Sequence, residues 1–221
     1  MSEPRPVIAI DGRAGVGKST LARRLARELG LPYLNTGLMY RAVTLAALRG
    51  GVDPDDGATI ASLARGITFD LDSTVRPAEL RVDGAVPGAE LTSPEVESTV
   101  SRMARHPEVR AVLREEQRRL AAGGGVVEGR DIGTVVTPAA QVKVFLHAEA
   151  NERAARRRNE RGAPDADVGR ALAARDAFDA TTIPPEPAPD AVVIDSSDLD
   201  ADQVFELALA LVQDRLGGRT G

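Results

Sequence analysis

Gly12-Arg13-Ala14-Gly15-Val16-Gly17-Lys18-Ser19 follows directly on the apolar run Val7-Ile8-Ala9-Ile10 and leads into leucines at helical spacing. No other feature constrains the fold as much. G-x-x-x-x-G-K-[ST] between a buried strand and a helix is a phosphate-binding loop, and it needs that strand–loop–helix frame to work. Its glycines let successive backbone N–H groups turn inward onto phosphate oxygens where a side chain would block the approach. Lys18 adds a positive charge for the transferred phosphoryl group, Ser19 offers a hydroxyl to Mg²⁺, and the positive end of the helix points at the same anion. A nucleoside triphosphate site is therefore predicted.

The 221 residues suffice for one α/β domain with a small appendage. Only 3% are aromatic, so the core has to come from Ala, Val, Leu and Ile. The absence of cysteine excludes disulfides, thiolate metal sites and thiol catalysis. Two histidines, His106 and His147, argue against a histidine metal cluster and read as structural. A net charge of −5 is unlike the basic footprint of a nucleic-acid binder. Apolar runs fall short of a membrane span, and residues 1–6, with Pro4 and Pro6, hold no signal core. The expectation is a soluble cytoplasmic protein with no nucleic-acid or membrane partner. Lysine occurs only at Lys18 and Lys143, which makes the loop lysine conspicuous among so many arginines.

The periodicity predicts a helix over 19–29 stopped by Gly30, a strand at 31–34, and a helix from Thr36-Gly37 to Gly50-Gly51. From 66 to 88 the period changes to alternation, with Asp83-Gly84 as a hairpin signal, which marks a small antiparallel insertion. Ser93-Pro94 starts a helix to about 104, and Pro107 starts another to about 122. Strands at 126–128, 142–146 and 191–195 alternate with helices at 150–161, after a break at 162–167 to 178, and from 201 onward. Strands alternating with helices imply an α/β fold with a parallel sheet covered on both faces.

A triphosphate site leaves three classes open: a phosphotransferase, a motor or switch NTPase, and a regulatory nucleotide-binding module. Val126-Val127-Glu128 is too short for the Asp-terminated strand of motor ATPases, and no Asn-Lys-x-Asp motif of GTPases is present. Arginines are abundant at 41, 102, 110 and 130 and in the run 153, 156, 157, 158 and 161. Most belong to solvated faces. Arg130-Asp131 differs because it ends a buried strand, and ligands in α/β sheets gather at carboxyl ends of strands.

Three stretches, 8–12, 35–44 and 127–136, closely resemble bacterial cytidylate kinases, and 175–179 and 190–196 also fit. The resemblance spans about 7–214. It implies a five-stranded parallel P-loop kinase core, helices on both faces, the antiparallel insertion within a monophosphate-binding region, and a helical lid. Core segments would be about 7–34, 105–150 and 190–216, the monophosphate region 36–104 and the lid 153–175. The implied activity is ATP-dependent phosphorylation of CMP, with dCMP as a second acceptor, by a monomer. ATP would lie on Gly12 to Ser19 and Thr20, clasped by Arg153 and Arg157. The resemblance puts Thr36 and Arg41 at the monophosphate, Ser101, Arg110 and Asp131 around cytosine, Arg130 on the acceptor phosphate, and Arg175 and Asp179 at the pentose. Lys18, Arg130 and Arg157 would be catalytic, and Mg²⁺ would sit on Ser19 with Glu128 acting through water. Tyr40 could stack near the acceptor or serve the core. The chain departs from the family at Thr182 and Thr92, where arginine is frequent, and at Asn35, where Asp is common; the lid segment 159–170 is also short. Arg156, Arg158 or Arg161 could compensate for Thr182. A kinase for UMP or shikimate, or a module that has lost catalysis, are the competing readings.

Overall fold

The computed structural model describes residues 5–75, 77–161, 165–182 and 186–217, with the side chains of 159–168 and 171 also outside the description. Pro4, residues 162–164 of the expected break, and the Arg161 side chain lie outside it.

The first strand, β1 (Val7–Gly12), is the middle of a five-stranded sheet. Its neighbours are β5 (Gly125–Gly129) and β6 (Val142–His147), with β2 (Tyr33–Asn35) and β7 (Val192–Asp195) outermost. Every pairing is parallel, in the register Val7–Gly125 and Ile8–Val142. The carboxyl ends of all five strands therefore share one edge. The chain leaves β1 toward β2 on one side and β6 toward β7 on the other, and this divergence opens a crevice at that edge.

Alternation along the strands divides the core. Ile8, Ile10, Tyr33, Val126 and Val144 pack on one face with α1 (Lys18–Leu29) and α8 (Ala201–Gly217). Ala9, Leu34 and Val127 pack on the other with α2 (Thr36–Arg49), α3 (Gly57–Gly66) and α5 (Pro107–Ala121). The same alternation sends Glu128 toward α1 and Asp11 toward the opposite layer. Aliphatic and alanine side chains dominate both layers, as the scarcity of aromatics requires.

Helix boundaries follow local chemistry. Ser93 accepts from Val96 N and Pro94 takes the first position of α4 (Pro94–Ala104). Gly30 closes α1 in the left-handed region with Leu31 N on Ala26 O, a Schellman arrangement. Helix α3 is not among the sequence-predicted elements: it is ten residues long, begins and ends on glycine, and is defined by packing Ile60, Ala61 and Ala64 into the core. Lys143, the second lysine, is tied to Pro138 O at 2.7 Å and Asp190 at 2.8 Å and belongs to the scaffold.

The insertion is a two-stranded antiparallel unit, β3 (Phe69–Asp72) with β4 (Glu79–Val82). Asp83-Gly84 does form a two-residue turn, both residues having positive φ (49° and 75°). That turn closes only the single Val82–Ala85 bridge, however, and the longer connection 73–78 joins the paired strands. Tyr33 N donates to Ala78 O at 2.8 Å, which tacks the insertion onto the outer edge of the main sheet.

Two further helices, α6 (Ala150–Arg161) and α7 (Asp165–Thr182), stand over the carboxyl edge between β6 and β7. The last turn of α7 runs four residues past the expected end at 178. No described helix is long and apolar enough to cross a membrane.

Candidate active site

The loop after β1 turns on three glycines with positive φ: Gly12 at 149°, Gly15 at 79° and Gly17 at 98°. A Cβ on Gly12 would stand 2.3 Å from Leu146 O, so the loop lies against the end of β6 as only glycine permits. Gly17 forms the left-handed N-terminal cap of α1 without a side-chain partner, leaving the first N–H groups of the helix available to an anion. Lys18 Nζ donates to Arg13 O at 2.7 Å, folded back along the loop. Crowding by protein atoms, chiefly, and then the nearby Arg130 guanidinium lower its pKa to about 7.

Beneath the loop, Glu128 at the end of β5 is 3% exposed and collects two hydroxyls. Ser19 Oγ donates to its Oε2 at 3.0 Å, and Tyr33 donates to its Oε1. A hydroxyl beside a carboxylate is a hard oxygen set that suits Mg²⁺. Among the described residues no three His, Cys, Asp or Glu converge into a metal cluster, so most ligands of such an ion would come from nucleotide and water.

From the loop a cavity of about 460 Å³ extends between α2, α4, α5 and α7. Ala14, Gly15, Lys18 and Ser19 border it at one end. Thr36, Arg41, Ser101, Arg110, Glu128, Arg130, Asp131, Arg157, Arg175 and Asp179 border the rest. Gly12, Arg13, Val16, Gly17, Thr20 and Arg153 do not border it.

The Arg130-Asp131 corner has a specific support. Residues Ile132–Val136 form one turn of π-helix, with Val136 N on Asp131 O and Thr137 N on Ile132 O. Asp11, one residue short of the β1 end, accepts from Ile132 N and Gly133 N, both at 2.7 Å. Burial raises the pKa of Asp11 despite these two donors. The carboxylate of one strand thus caps the turn that follows its neighbour and holds Arg130 and Asp131 over the crevice. Gly129 precedes the corner because a Cβ there would meet Ile132 Cδ1 and Thr36 Oγ1 at 2.6 Å.

Asp131 pairs with Arg110 at 3.2 Å and with Arg114 at 2.6 Å, two residues one turn apart on α5. Arg130 pairs with Asp179, and burial, then the neighbouring Arg175, lowers its pKa to about 10. Thr36 Oγ1 donates to Glu128 O at 2.7 Å. Tyr40 borders the cavity, and burial pushes its hydroxyl pKa up to about 12. Asn35 caps α2 through Leu38 N, a task an Asp would perform equally. Thr92 and Thr182 are satisfied locally, on Ala89 O and Phe178 O.

The two arginines expected to act together on α6 are separated. Arg157 reaches the cavity, whereas Arg153 is 4% exposed and donates to Ala14 O, Ala148 O and Asp176. Arg156, one of the candidates to compensate for Thr182, donates to Val16 O, Ser196 and Leu199 O. Arg153 and Arg156 together fasten α6 to the phosphate loop. Among residues the sequence reading passed over, Arg114 carried a legible signal, its i,i+4 spacing from Arg110. Asp11, Asp176 and Glu97 carried none.

His106 faces Pro54 O through Nε2 at 2.9 Å at the start of α5. His147 ends β6 on the surface. Neither borders the cavity.

Residues 8–214 match the family model described as cytidylate kinase. A cytidylate kinase of Pelotomaculum thermopropionicum is 47% identical over 94% of this chain and 96% of its own length. One from Roseiflexus castenholzii is 45% identical over 97% and 96%. Among solved structures, a gluconokinase from Sinorhizobium meliloti superposes over the full length of both chains with a TM-score of 0.54 at 15% identity, a likeness of fold.

Proposed function

This chain belongs to the cytidylate kinase family, a family of nucleoside monophosphate kinases, and on that premise we propose that it moves the γ-phosphoryl group of ATP to CMP, with dCMP as a second acceptor, without a general base. One observation carries the reading: a single cavity runs from the phosphate loop with Lys18 at one end, past the neighbouring Arg130, to Arg41, Arg110 and Asp131 at the other. A hydrolytic engine needs only the first end. Two polyanions brought face to face need both.

In this reading an oxygen of the acceptor phosphate, already dianionic at neutral pH, attacks the γ-phosphorus. The bond to the β–γ bridging oxygen breaks, and ADP departs with the electron pair. No proton has to be removed first, which accords with the absence of histidine from the cavity lining. Catalysis is then positioning and charge neutralisation. Lys18 would follow the transferring group, Arg130 would hold the acceptor phosphate, and Arg157 would approach from the lid side. Ser19, with Glu128 acting through water, would hold Mg²⁺, which supplies charge neutralisation on the triphosphate when bound.

Base choice follows from the Asp131–Arg110 pair and Ser101. Cytosine offers an amino donor, a ring-nitrogen acceptor and a carbonyl, which a carboxylate, a guanidinium and a hydroxyl can meet. Uracil reverses the donor and acceptor opposite Asp131, and an unpaired buried group is costly. We further infer a cytoplasmic monomer serving pyrimidine nucleotide metabolism. An ADP-release assay with ATP, Mg²⁺ and CMP, dCMP, UMP or AMP tests the proposal. CMP and dCMP should lead by more than about tenfold in kcat/KM; preference for UMP, or silence with all four, would overturn it.

A further inference from the structure

Glu97 lies where three elements meet, and its carboxylate takes partners from all of them. Arg41 of α2 stands 2.5 Å from Oε1, Arg175 of α7 stands 3.1 Å from Oε2, and Arg157 of α6 stands 3.6 Å from Oε1. The glutamate side chain is 13% exposed and borders the main cavity. It sits one turn before Ser101 on α4, on the same face, beside the buried stripe Val96, Val100 and Met103. Carboxylate and phosphate oxygens are alternative partners for the same guanidinium forks.

We propose that Glu97 is a built-in counter-anion for the phosphate-handling arginines, and that acceptor binding exchanges this carboxylate for the acceptor phosphate. The inference rests on the reading of this end of the cavity as the acceptor site. In the free protein Glu97 gives three converging guanidinium groups a shared negative charge. It also joins α6 and α7 to the acceptor side through Arg157 and Arg175. An arriving phosphate meets Arg41, Arg157 and Arg175 already gathered, and must draw them from a carboxylate that repels it. Glu97 acts through the arginines, so it is a positioning residue that sets acceptor affinity; the phosphate should sense it most, and the pentose less, through Arg175.

The test is calorimetric titration of the full chain and of Glu97→Gln with CMP, cytidine and inorganic phosphate. The glutamine keeps the shape and removes the charge. CMP and inorganic phosphate should bind the variant roughly three- to tenfold more tightly, with cytidine moving by less than about twofold. Weaker or unchanged phosphate binding would overturn the exchange and make Glu97 an anchor. An equal shift for CMP and cytidine would overturn it as well. If Glu97→Gln does not fold, Glu97→Asp, whose shorter reach loosens the Arg175 contact, should shift in the same direction by about twofold. A wild-type chain that binds CMP no better than cytidine would sink the acceptor-site reading instead, and the inorganic phosphate arm would still decide the exchange.

Discussion

The two ends of the cavity are made of different material. At the loop end the working groups are backbone: glycines of positive φ, the uncapped start of α1, and one lysine folded onto a carbonyl. At the arginine end they are side chains, brought from α2, α4, α5, α6, α7 and the π-turn and paired with Asp131, Asp179 and Glu97. Backbone geometry leaves little to adjust, since a change either fits or clashes. A side-chain network can be retuned one charge at a time, so on the proposed function the loop end would take a constant donor and the arginine end would choose the acceptor.

The sharpest attempt to break this contrast is Lys18→Ala. Turnover should fall about a thousandfold, as for loss of a group aimed at developing charge. Thermal stability should hold or rise, because the lysine sits in the fold with its pKa lowered. A large loss of stability would mean that Lys18 also supports the loop.

Gly12→Ala strikes the backbone itself. With its Cβ 2.3 Å from Leu146 O and φ at 149°, the variant should lose about 2–4 kcal/mol in a denaturant titration. Asp131→Asn does the reverse at the other end, leaving Arg110 and Arg114 without their shared charge. The KM for CMP should rise about 10- to 100-fold while that for ATP stays within about twofold. A parallel rise in both would erase the division between the ends.

Lys18 also makes the loop end pH-sensitive. Its pKa is lowered, so near pH 8 the free protein holds it mostly neutral, and a bound triphosphate favours the charged form. Nucleotide binding at that pH should take up close to about one proton, and uptake should shrink as pH falls below 7. Calorimetry in buffers of different ionisation enthalpy measures this directly. The same lowered value makes the unfolded chain the better proton binder between about 7 and 10.5, so this group adds to stability as pH rises through that window.

The smallest effect is expected from Thr182→Arg, where rate and CMP affinity should move by less than about threefold. Thr182 is satisfied on Phe178 O and does not border the cavity, and Arg41, Arg157 and Arg175 already converge on Glu97. A tenfold gain would mean that the arginine end is short of charge.

Sequence and tertiary structure divide along the same line. The loop, its flanking strand and helix, and the place of the Arg130-Asp131 corner at a strand end were legible because they are contiguous, and each residue's position follows from its immediate neighbours. The capped starts at Ser93 and Pro107 were legible for the same reason. Helix α3 was not predicted although Asp56 caps it and Ile60, Ala61 and Ala64 lie at helical spacing, because ten residues bounded by glycines give only a short periodic run. The antiparallel insertion and its Asp83-Gly84 turn were legible, but that this turn closes only the Val82–Ala85 bridge was not, because register is decided by packing rather than by the turn.

By itself, the sequence determined a parallel α/β fold, a triphosphate loop at its carboxyl edge, and an aliphatic core. Only the tertiary structure decided that Asp11 holds the corner of a neighbouring strand, that Arg153 is a fastening rather than a lining residue, and that Glu97 gathers three arginines. Charged side chains far apart in the chain leave no periodic trace, so their pairing appears only when the fold brings them within hydrogen-bonding distance.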